Sequence, residues 1–148
     1  MPKLDRAHLA HPAFRFVVQI DGIEGATFTQ CTLPTLEMEV EERKEGGFND
    51  GTHILPTRVK KGTITLKRGM VSDTELLGWY LAVMAGQLEK SRRQVSIIML
   101  DSQGEEIMRW DFSGVYPVKW TGPELDSASN KVAIEALELA YESLTVVQ

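Results

Sequence analysis

The sequence is poor in the residues that most sites of chemistry require. Its 148 residues include one cysteine, Cys31, and three histidines. A single thiol excludes a disulfide framework and a multi-thiolate zinc site. His8 and His11 lie in the first segment and His53 is far from both, which is typical of exposed side chains rather than a metal site. No cofactor or metal is therefore expected.

Basic residues are also outnumbered. Lys and Arg total 16 against 21 Asp and Glu, a formal net charge of -5. A nucleic-acid-binding protein concentrates cations on one face, whereas the short basic pairs here, such as Arg92-Arg93, stand among acids. Sequence-specific nucleic acid binding is not expected.

No apolar run approaches the length of a membrane span. The first residues, MPKLDR, lack the apolar stretch of a secretory signal peptide. We therefore expect a protein made in the cytoplasm, without a signal peptide or a membrane-spanning segment.

What the sequence does contain is regular alternation of apolar and polar residues, which predicts strands. Phe14–Ile20 alternates well, and Ala26–Thr32 fits a short strand. In Leu36–Arg43 the apolar Leu36, Met38 and Val40 are predicted to face the core, and Glu37, Glu39 and Glu41 the solvent. Ile54–Gly69 is extended with an irregularity near Gly62. The segments QVSIIML and EIMRWDF flank a hairpin turn at Gly104.

One helix is predicted from about Asp73 to Leu88. Ser72 and Glu75 have the spacing of a capping box. The apolar stripe that follows is predicted to face the core, with Leu77 and Leu81 as core residues. Its members are Leu76, Leu77, Tyr80, Leu81, Met84 and Leu88.

Two segments are predicted to order only against a partner. The first is the arm Met1–Ala13. The second is a long loop, Lys44–His53, which is rich in glycine. Its candidate contact residues are Lys44, Glu45, Gly46, Gly47, Phe48, Asn49, Asp50 and Gly51.

The stretch MRWDFSGVYPVKWTGPELDS raises two alternatives. Its rings can stack a base or sugar, but such a platform usually lies in a basic groove, and here Asp111, Glu124 and Asp126 accompany it. We therefore predict core packing. Met108 and Val118 are expected on the same face as the aromatic core residues Trp110, Phe112, Tyr116 and Trp120.

The final segment, KVAIEALELAYESL, is rich in Ala, Glu and Leu, so local propensity predicts a helix. No catalytic constellation is visible. The row Glu37, Glu39 and Glu41 has the pattern of the wet face of a strand, Cys31 has no base beside it, and EGGFNDG lacks the lysine of a phosphate-binding loop. An enzyme is not expected.

Five motifs, taken in chain order, resemble those of one known family. They are FRFVVQIDGIEGATF, EVEERKEGGFND, HILPTRVKKGTITLKRGM, RWDFSGVYPVKWTGPELDS and NKVAIEALELA. Together they resemble the tail-tube proteins of contractile phages and of phage-tail-like extracellular contractile injection systems, from Phe14 to about Leu144. The stretches LKRG and PVKWTGP, together with ELDSASN, VAIE and LELA, are specific to the family. Cys31, Pro34 and Thr57 depart from the family pattern.

The resemblance implies a single domain over residues 1–148, with two packed antiparallel sheets and one flanking helix. It implies that the final segment is a strand, against local propensity. It also implies hexameric rings stacked into a hollow inner tube, with the sheath, baseplate or hub, tube-terminating proteins and lumen cargo as partners. On that basis we expect Glu37, Glu39 and Glu41 to face the lumen, and the loop Lys44–His53 to contact a neighbouring ring or the sheath.

A different class remains as the alternative. A monomeric small β-barrel that binds a ligand or peptide would share this composition and would show a concave apolar pocket. Residue patterns do not separate a phage from an injection particle, and the resemblance favours an injection system or a prophage-derived particle.

Overall fold

The computed structural model describes residues 14–24, 27–44, 52–128 and 130–148, and for residues 39, 41–44 and 52–60 it describes the backbone alone. The predicted arm Met1–Ala13 and residues 45–51 of the predicted loop lie outside these ranges. The elements in chain order are β1 (Arg15–Ile20), β2 (Gln30–Thr32), β3 (Leu36–Lys44), β4 (Thr52–Lys61), β5 (Ile64–Gly69), α1 (Glu75–Met84), α2 (Leu88–Ser91), β6 (Arg93–Leu100), β7 (Glu106–Thr121), β8 (Ile134–Ala140) and β9 (Ser143–Val147).

Seven strands form one antiparallel sheet in the order β1-β6-β7-β8-β5-β2, with β9 also paired to β7. The 16-residue β7 belongs to two layers. Its first half lies between β6 and β9, and its second half pairs with β8. Side chains from both layers meet in one hydrophobic core, which confirms the predicted mainly β fold of two packed antiparallel layers. The best-buried members are Ile64, Leu66, Leu76, Val95, Phe112, Val115, Leu137 and Leu139.

The final segment is a strand rather than the helix that its composition favours. In β8, Glu135, Leu137 and Leu139 are buried and alternate with half-buried residues. The strand is paired on both sides, with β5 and with β7. Two ladders and a buried apolar row outweigh a helix preference of about a few tenths of a kcal/mol per residue.

The middle of β7 breaks the alternation predicted from its sequence. Gly114 has φ 62°, a left-handed value that favours glycine, and the pairing with β6 shifts between Arg93 and Val95. Beyond this bulge Val115 and Pro117 are buried, whereas Tyr116 is half-buried and Val118 is 44% exposed. The expectation that Tyr116 and Val118 continue the row of Phe112 is therefore corrected, because one extra residue moves each following side chain to the opposite face.

The helix is shorter than predicted and buries a different face. It begins at Glu75 and ends at Met84, with Thr74 as its N-cap residue. Asp73, rather than Ser72, accepts a hydrogen bond from the Glu75 N–H, at 3.3 Å. Its buried residues are Leu76 and Trp79.

The predicted core role of Leu81 is corrected, since that side chain is 54% exposed, and Leu77 is half-buried. The sequence of α1 is apolar on several sides, so its periodicity does not select one face. The large indole of Trp79 takes the interior position, and its Nε1–H donates to the Ser91 carbonyl oxygen at 2.5 Å.

β3 and β4 form a separate two-stranded sheet and, among the described residues, pair only with each other. We call this unit the β3–β4 hairpin. Its strands take up Lys44, Thr52 and His53, the ends of the predicted loop. At the base of the hairpin, a Cβ on Gly62 would lie 2.7 Å from the Thr35 carbonyl oxygen. The start of β3 and the end of β4 therefore approach so closely that only glycine fits there without a backbone shift. The Lys61 ammonium also donates to the Glu142 carbonyl oxygen there.

Candidate assembly surfaces and a buried polar network

The β3–β4 hairpin carries an apolar row that nothing in the described part of the chain covers. Leu36, Met38 and Val40 are 56%, 58% and 55% exposed. These are the residues predicted to face the core, so that expectation is corrected for the isolated chain. Their alternation is that of a buried strand face, but the described residues provide no surface that buries them.

Two members of the acidic row of the same strand have basic register partners. Glu37 is exposed and pairs in register with Lys60, and Glu39 pairs with Arg58. Glu41 pairs with Leu55, beyond a register shift that follows Glu39. Two of the three predicted acidic positions thus stand directly across the ladder from basic positions. This stretch of the hairpin has mixed charge.

A buried ion pair closes one end of the core. Arg68 and Glu135 are each 4% exposed and are direct partners across β5 and β8. The Arg68 Nε–H donates to a Glu135 carboxylate oxygen. The second Glu135 oxygen accepts from the Trp120 indole N–H at 2.9 Å. Both carboxylate oxygens therefore have a donor.

Asp73 completes this cluster from the start of the helix. Its Oδ1 accepts from an Arg68 terminal nitrogen at 2.9 Å. The hydrogen bond from Arg68 holds the pKa of Asp73 below its ordinary value, although desolvation opposes it. Desolvation disfavours the charged form of Arg68. The hydrogen bonds to Glu135 and Asp73 together outweigh this effect and raise the pKa of Arg68. The charged forms of Arg68 and Asp73 are therefore both favoured at neutral pH.

This network joins three of the stretches that are specific to the family. Arg68 comes from LKRG, Trp120 from PVKWTGP and Glu135 from VAIE. Sequence reasoning did not single out Arg68, Asp73 or Glu135. A signal was present, because Arg68 continues the buried row of Ile64 and Leu66, and Glu135 precedes Leu137 and Leu139 on theirs. Two opposite charges in core-facing positions of paired strands indicate a buried ion pair.

A second polar cluster lies on the face of β6 and β7 that points away from the core. The Ser96 hydroxyl donates to Asp111 at 2.7 Å, and the Arg109 Nε–H donates to the same oxygen at 2.9 Å. These two hydrogen bonds, first that of Ser96, lower the pKa of Asp111. The cluster fixes the side chains of a charged surface.

The described residues offer no centre of chemistry. They contain no group of three His, Cys, Asp or Glu side chains that is placed to hold a metal ion. Burial raises the pKa of Cys31 to about 11, which opposes formation of a reactive thiolate. One of the larger grooves, of about 400 Å³ beside Trp79, is lined in part by Glu75, Lys90 and Arg93. Within the described ranges, every helix is too short or too polar to span a bilayer.

The predicted aromatic core residues occupy the interior to different degrees. Phe112 is fully buried and makes an edge-to-face contact with Tyr141, with ring centroids 5.0 Å apart. Trp110 and Trp120 are partly buried against the core. Tyr116 is half-buried, with the Arg92 guanidinium 5.7 Å from its ring.

A closed core beside a strand face whose apolar row the described residues leave uncovered is typical of a structural subunit. Residues 12–145 match the profile of the T4-like virus tail tube protein gp19 family. The chain belongs to that family, and it is a structural subunit of the inner tube of a contractile injection machine.

Solved structures agree on the fold. A chain of the anti-feeding prophage baseplate, in a six-fold symmetrised structure, is 26% identical, with a TM-score of 0.74 and 94% of both chains covered. A chain of the sheath–tube complex of the extracellular contractile injection system PVC is 24% identical, with a TM-score of 0.82 over 99% of this chain and 98% of that one. Hcp1 from Salmonella typhimurium is 13% identical, with a TM-score of 0.58 over 90% and 85%. No curated protein matches the sequence.

Proposed function

We propose that this chain forms six-subunit rings that stack into a hollow conduit, which a contracting sheath drives outward with its cargo. The observation that carries the proposal is the β3–β4 hairpin, whose apolar row is formed but uncovered by the described part of the single chain. An apolar strand face that stays exposed costs stability and solubility, and it is normally an interaction surface. In a tube, other copies of the same chain would cover this apolar row.

Sheet edges support the same interpretation. In the described part of the chain, β1 and β2 end the strand order, and each pairs on one side only. β9 pairs with β7 alone and exposes Val146 and Val147 at 48% and 47%. Free edges that bear apolar side chains invite pairing with another chain. A closed ring turns such edges into subunit contacts.

The partners of the similar proteins fit a tube subunit. Those proteins come from a baseplate, a sheath–tube complex and tube-terminating assemblies. We extend to this chain the corresponding partners: its own copies, a sheath, a baseplate and a tube terminator. The assembled form would be a phage tail or an extracellular phage-tail-like particle.

The lumen assignment of Glu37, Glu39 and Glu41 stays a proposal, and the register changes its expected character. Since Lys60 and Arg58 are the register partners of Glu37 and Glu39, a lumen wall built from this face presents mixed charge rather than bare acidic rings. A mixed, hydrated wall holds neither basic nor acidic cargo strongly. The loop contact proposed for residues 44–51 likewise stays a proposal.

Electron microscopy of the purified, concentrated protein tests the proposal. We expect rings and tubes of uniform width in negative stain. Small particles without a central hole, at every concentration, would favour the monomeric ligand- or peptide-binding alternative. Replacing Glu45–Thr52 with an Asn-Gly turn tests the loop separately: single rings without stacks are expected, and long tubes would show that the loop is dispensable.

A further inference from the structure

The apolar residues of β8 do not by themselves fix which residues of β5 they face. A shift of one residue would turn every side chain of β8 to the other face of the sheet, so the burial of its apolar row excludes that shift. A shift of two residues keeps each side chain on its own face. In the observed register Leu66 lies opposite Leu137, and Ile64 lies opposite Leu139. A shift of two residues would pair Leu66 with Leu139, or Ile64 with Leu137, and both of these pairs are equally apolar.

The buried pair of Arg68 and Glu135 distinguishes these registers. Both residues are 4% exposed, and they are direct partners in the ladder between β5 and β8. A shift of two residues moves Glu135 along the strand by about 7 Å, at roughly 3.3 Å per residue. It leaves Leu137 or Ala133 opposite Arg68, and neither side chain can accept a hydrogen bond. Each shifted register therefore takes the direct charged partner away from a buried guanidinium, which is costly.

Two further contacts depend on the same register. Trp120 of β7 is the ladder partner of Leu137, and its indole N–H donates to Glu135, one step along the same face, at 2.9 Å. On the opposite face of β8, the Thr63 hydroxyl donates to Glu138 at 2.7 Å. Polar contacts thus hold β8 at one position, whereas its apolar side chains are compatible with several.

The register of β8 also sets the position of the strand that follows it. Only residues 141–142 connect β8 to β9, and β9 pairs with β7. A shift of two residues in β8 would either carry β9 along β7 or break this short connection. Since β9 exposes Val146 and Val147, a subunit in a shifted register would present a displaced sheet edge.

We propose that the buried network of Arg68, Glu135 and Trp120 is a register lock, which selects one alignment of β8 among those that its apolar residues allow. Asp73 holds Arg68 from the start of the helix at 2.9 Å, so the guanidinium is a fixed reference for the moving strand. The lock gives the fold its specificity, in addition to any contribution to stability. It is a property of the single subunit and does not depend on the proposed tube.

Cysteine pairs on the opposite face of the two strands report the register. Lys67→Cys and Ala136→Cys are direct partners in the observed register. Thr65→Cys becomes the direct partner of Ala136→Cys, or of Ala140→Cys, only after a shift of two residues in one direction or the other. Direct partners have Cβ atoms about 4.5–5.5 Å apart, whereas diagonal neighbours lie roughly 7–8 Å apart and resist bridging without backbone movement. All variants carry Cys31→Ser, because Cys31 lies on β2 beside β5.

Each cysteine pair is introduced into the purified full chain, with the parent network and with Arg68→Leu combined with Glu135→Leu. After mild oxidation and alkylation of free thiols, mass spectrometry measures the bridged fraction. In the parent network we expect a bridge between positions 67 and 136 alone. In the double leucine variant, one of the shifted pairs should be bridged about tenfold more than in the parent. A double leucine variant that bridges only positions 67 and 136 would overturn the proposal.

Leu139→Ala is the matched control, because it removes a buried side chain of β8 and leaves the network intact. It should lose stability and keep the observed register. Shifted bridges as abundant here as in the double leucine variant would show that general stability fixes the register, which would also overturn the proposal.

Glu135→Gln decides the question if the double leucine variant does not fold. The amide has the size of the carboxylate, and Arg68 keeps its contact with Asp73. Its weaker pairing with Arg68 should raise a shifted bridge above the parent level. A bridging pattern identical to that of the parent would contradict the lock.

Discussion

Strands β3 and β5 are built on the same alternating pattern, and only β5 buries its apolar row within the described part of the chain. Ile64 and Leu66 of β5 are 0% and 1% exposed, whereas Met38 of β3 is 58% exposed. Along the chain β4 and Gly62 lie between them, and Gly62 closely approaches Thr35, the residue before β3. The comparison teaches that alternation identifies the face of a strand that will be covered. It does not say whether the cover comes from the same chain or from another copy.

The strongest test of this comparison replaces one apolar residue of each strand with aspartate. Leu66→Asp places an unpaired carboxylate in the core and should cost several kcal/mol, on the order of the whole stability of a small domain. Met38→Asp should leave the subunit's free energy of unfolding, from urea titration, within about 0.5 kcal/mol of the parent, yet abolish tubes. Equal loss of folding in both variants would show that the hairpin's row is covered within the chain.

The buried ion pair should give the next largest effect. Glu135→Leu leaves Arg68 and the Trp120 indole N–H without that acceptor, and losing one partner of a buried pair costs about 3–5 kcal/mol. Arg68→Leu combined with Glu135→Leu should recover much of that loss. Lys67→Leu, on the opposite face of β5, is the control. A single Glu135→Leu variant as stable as the parent, by urea titration, would show that the pair does not stabilise the fold.

The corrected helix face yields a smaller, matched contrast. Leu76→Ala removes a side chain that is 1% exposed and should cost about 2–5 kcal/mol. Leu81→Ala changes a side chain that is 54% exposed and should change stability by less than about 0.5 kcal/mol. Thermal melts of the two variants measure these losses. A larger loss for Leu81→Ala than for Leu76→Ala would show that the helix buries the face predicted from periodicity.

The smallest effect concerns pH. The pKa of Asp73 is lowered in the folded chain, chiefly by its hydrogen bond to Arg68, so its contribution is present above the unfolded pKa of about 3.9. That contribution is lost as the pH falls through the folded value. Asp73→Asn should therefore be slightly less stable than the parent at pH 7, with the gap closing as the pH falls below the unfolded pKa. A gap independent of pH would mean that charge is not the cause.

Much of the sheet could be predicted because its strands alternate and its turns carry glycine or proline. β1, β3, the break near Gly62 and the hairpin at Gly104 all follow from local pattern. β8 did not, since its Ala, Glu and Leu favour a helix in isolation. Its strand state comes from pairing with β5 and β7, of which β5 is distant in sequence.

The faces of β7 and α1 were mispredicted for local reasons. A bulge at Gly114 shifts the row by one residue, and a glycine in a strand marks such a bulge without fixing its register. In α1, Trp79 rather than Leu81 is buried, and its indole N–H donates to the Ser91 carbonyl oxygen, a contact that helical periodicity does not encode. The Arg68–Glu135 pair was predictable from the two core rows once β5 and β8 were known to be neighbours.

A cryo-electron microscopy reconstruction of assembled tubes tests most directly whether copies of the chain complete the surface that one copy leaves open. We predict that Leu36, Met38 and Val40 become buried, against apolar side chains of another subunit. A map of ordered tubes in which these three side chains still face solvent, in the lumen or on the outer wall, would contradict this prediction.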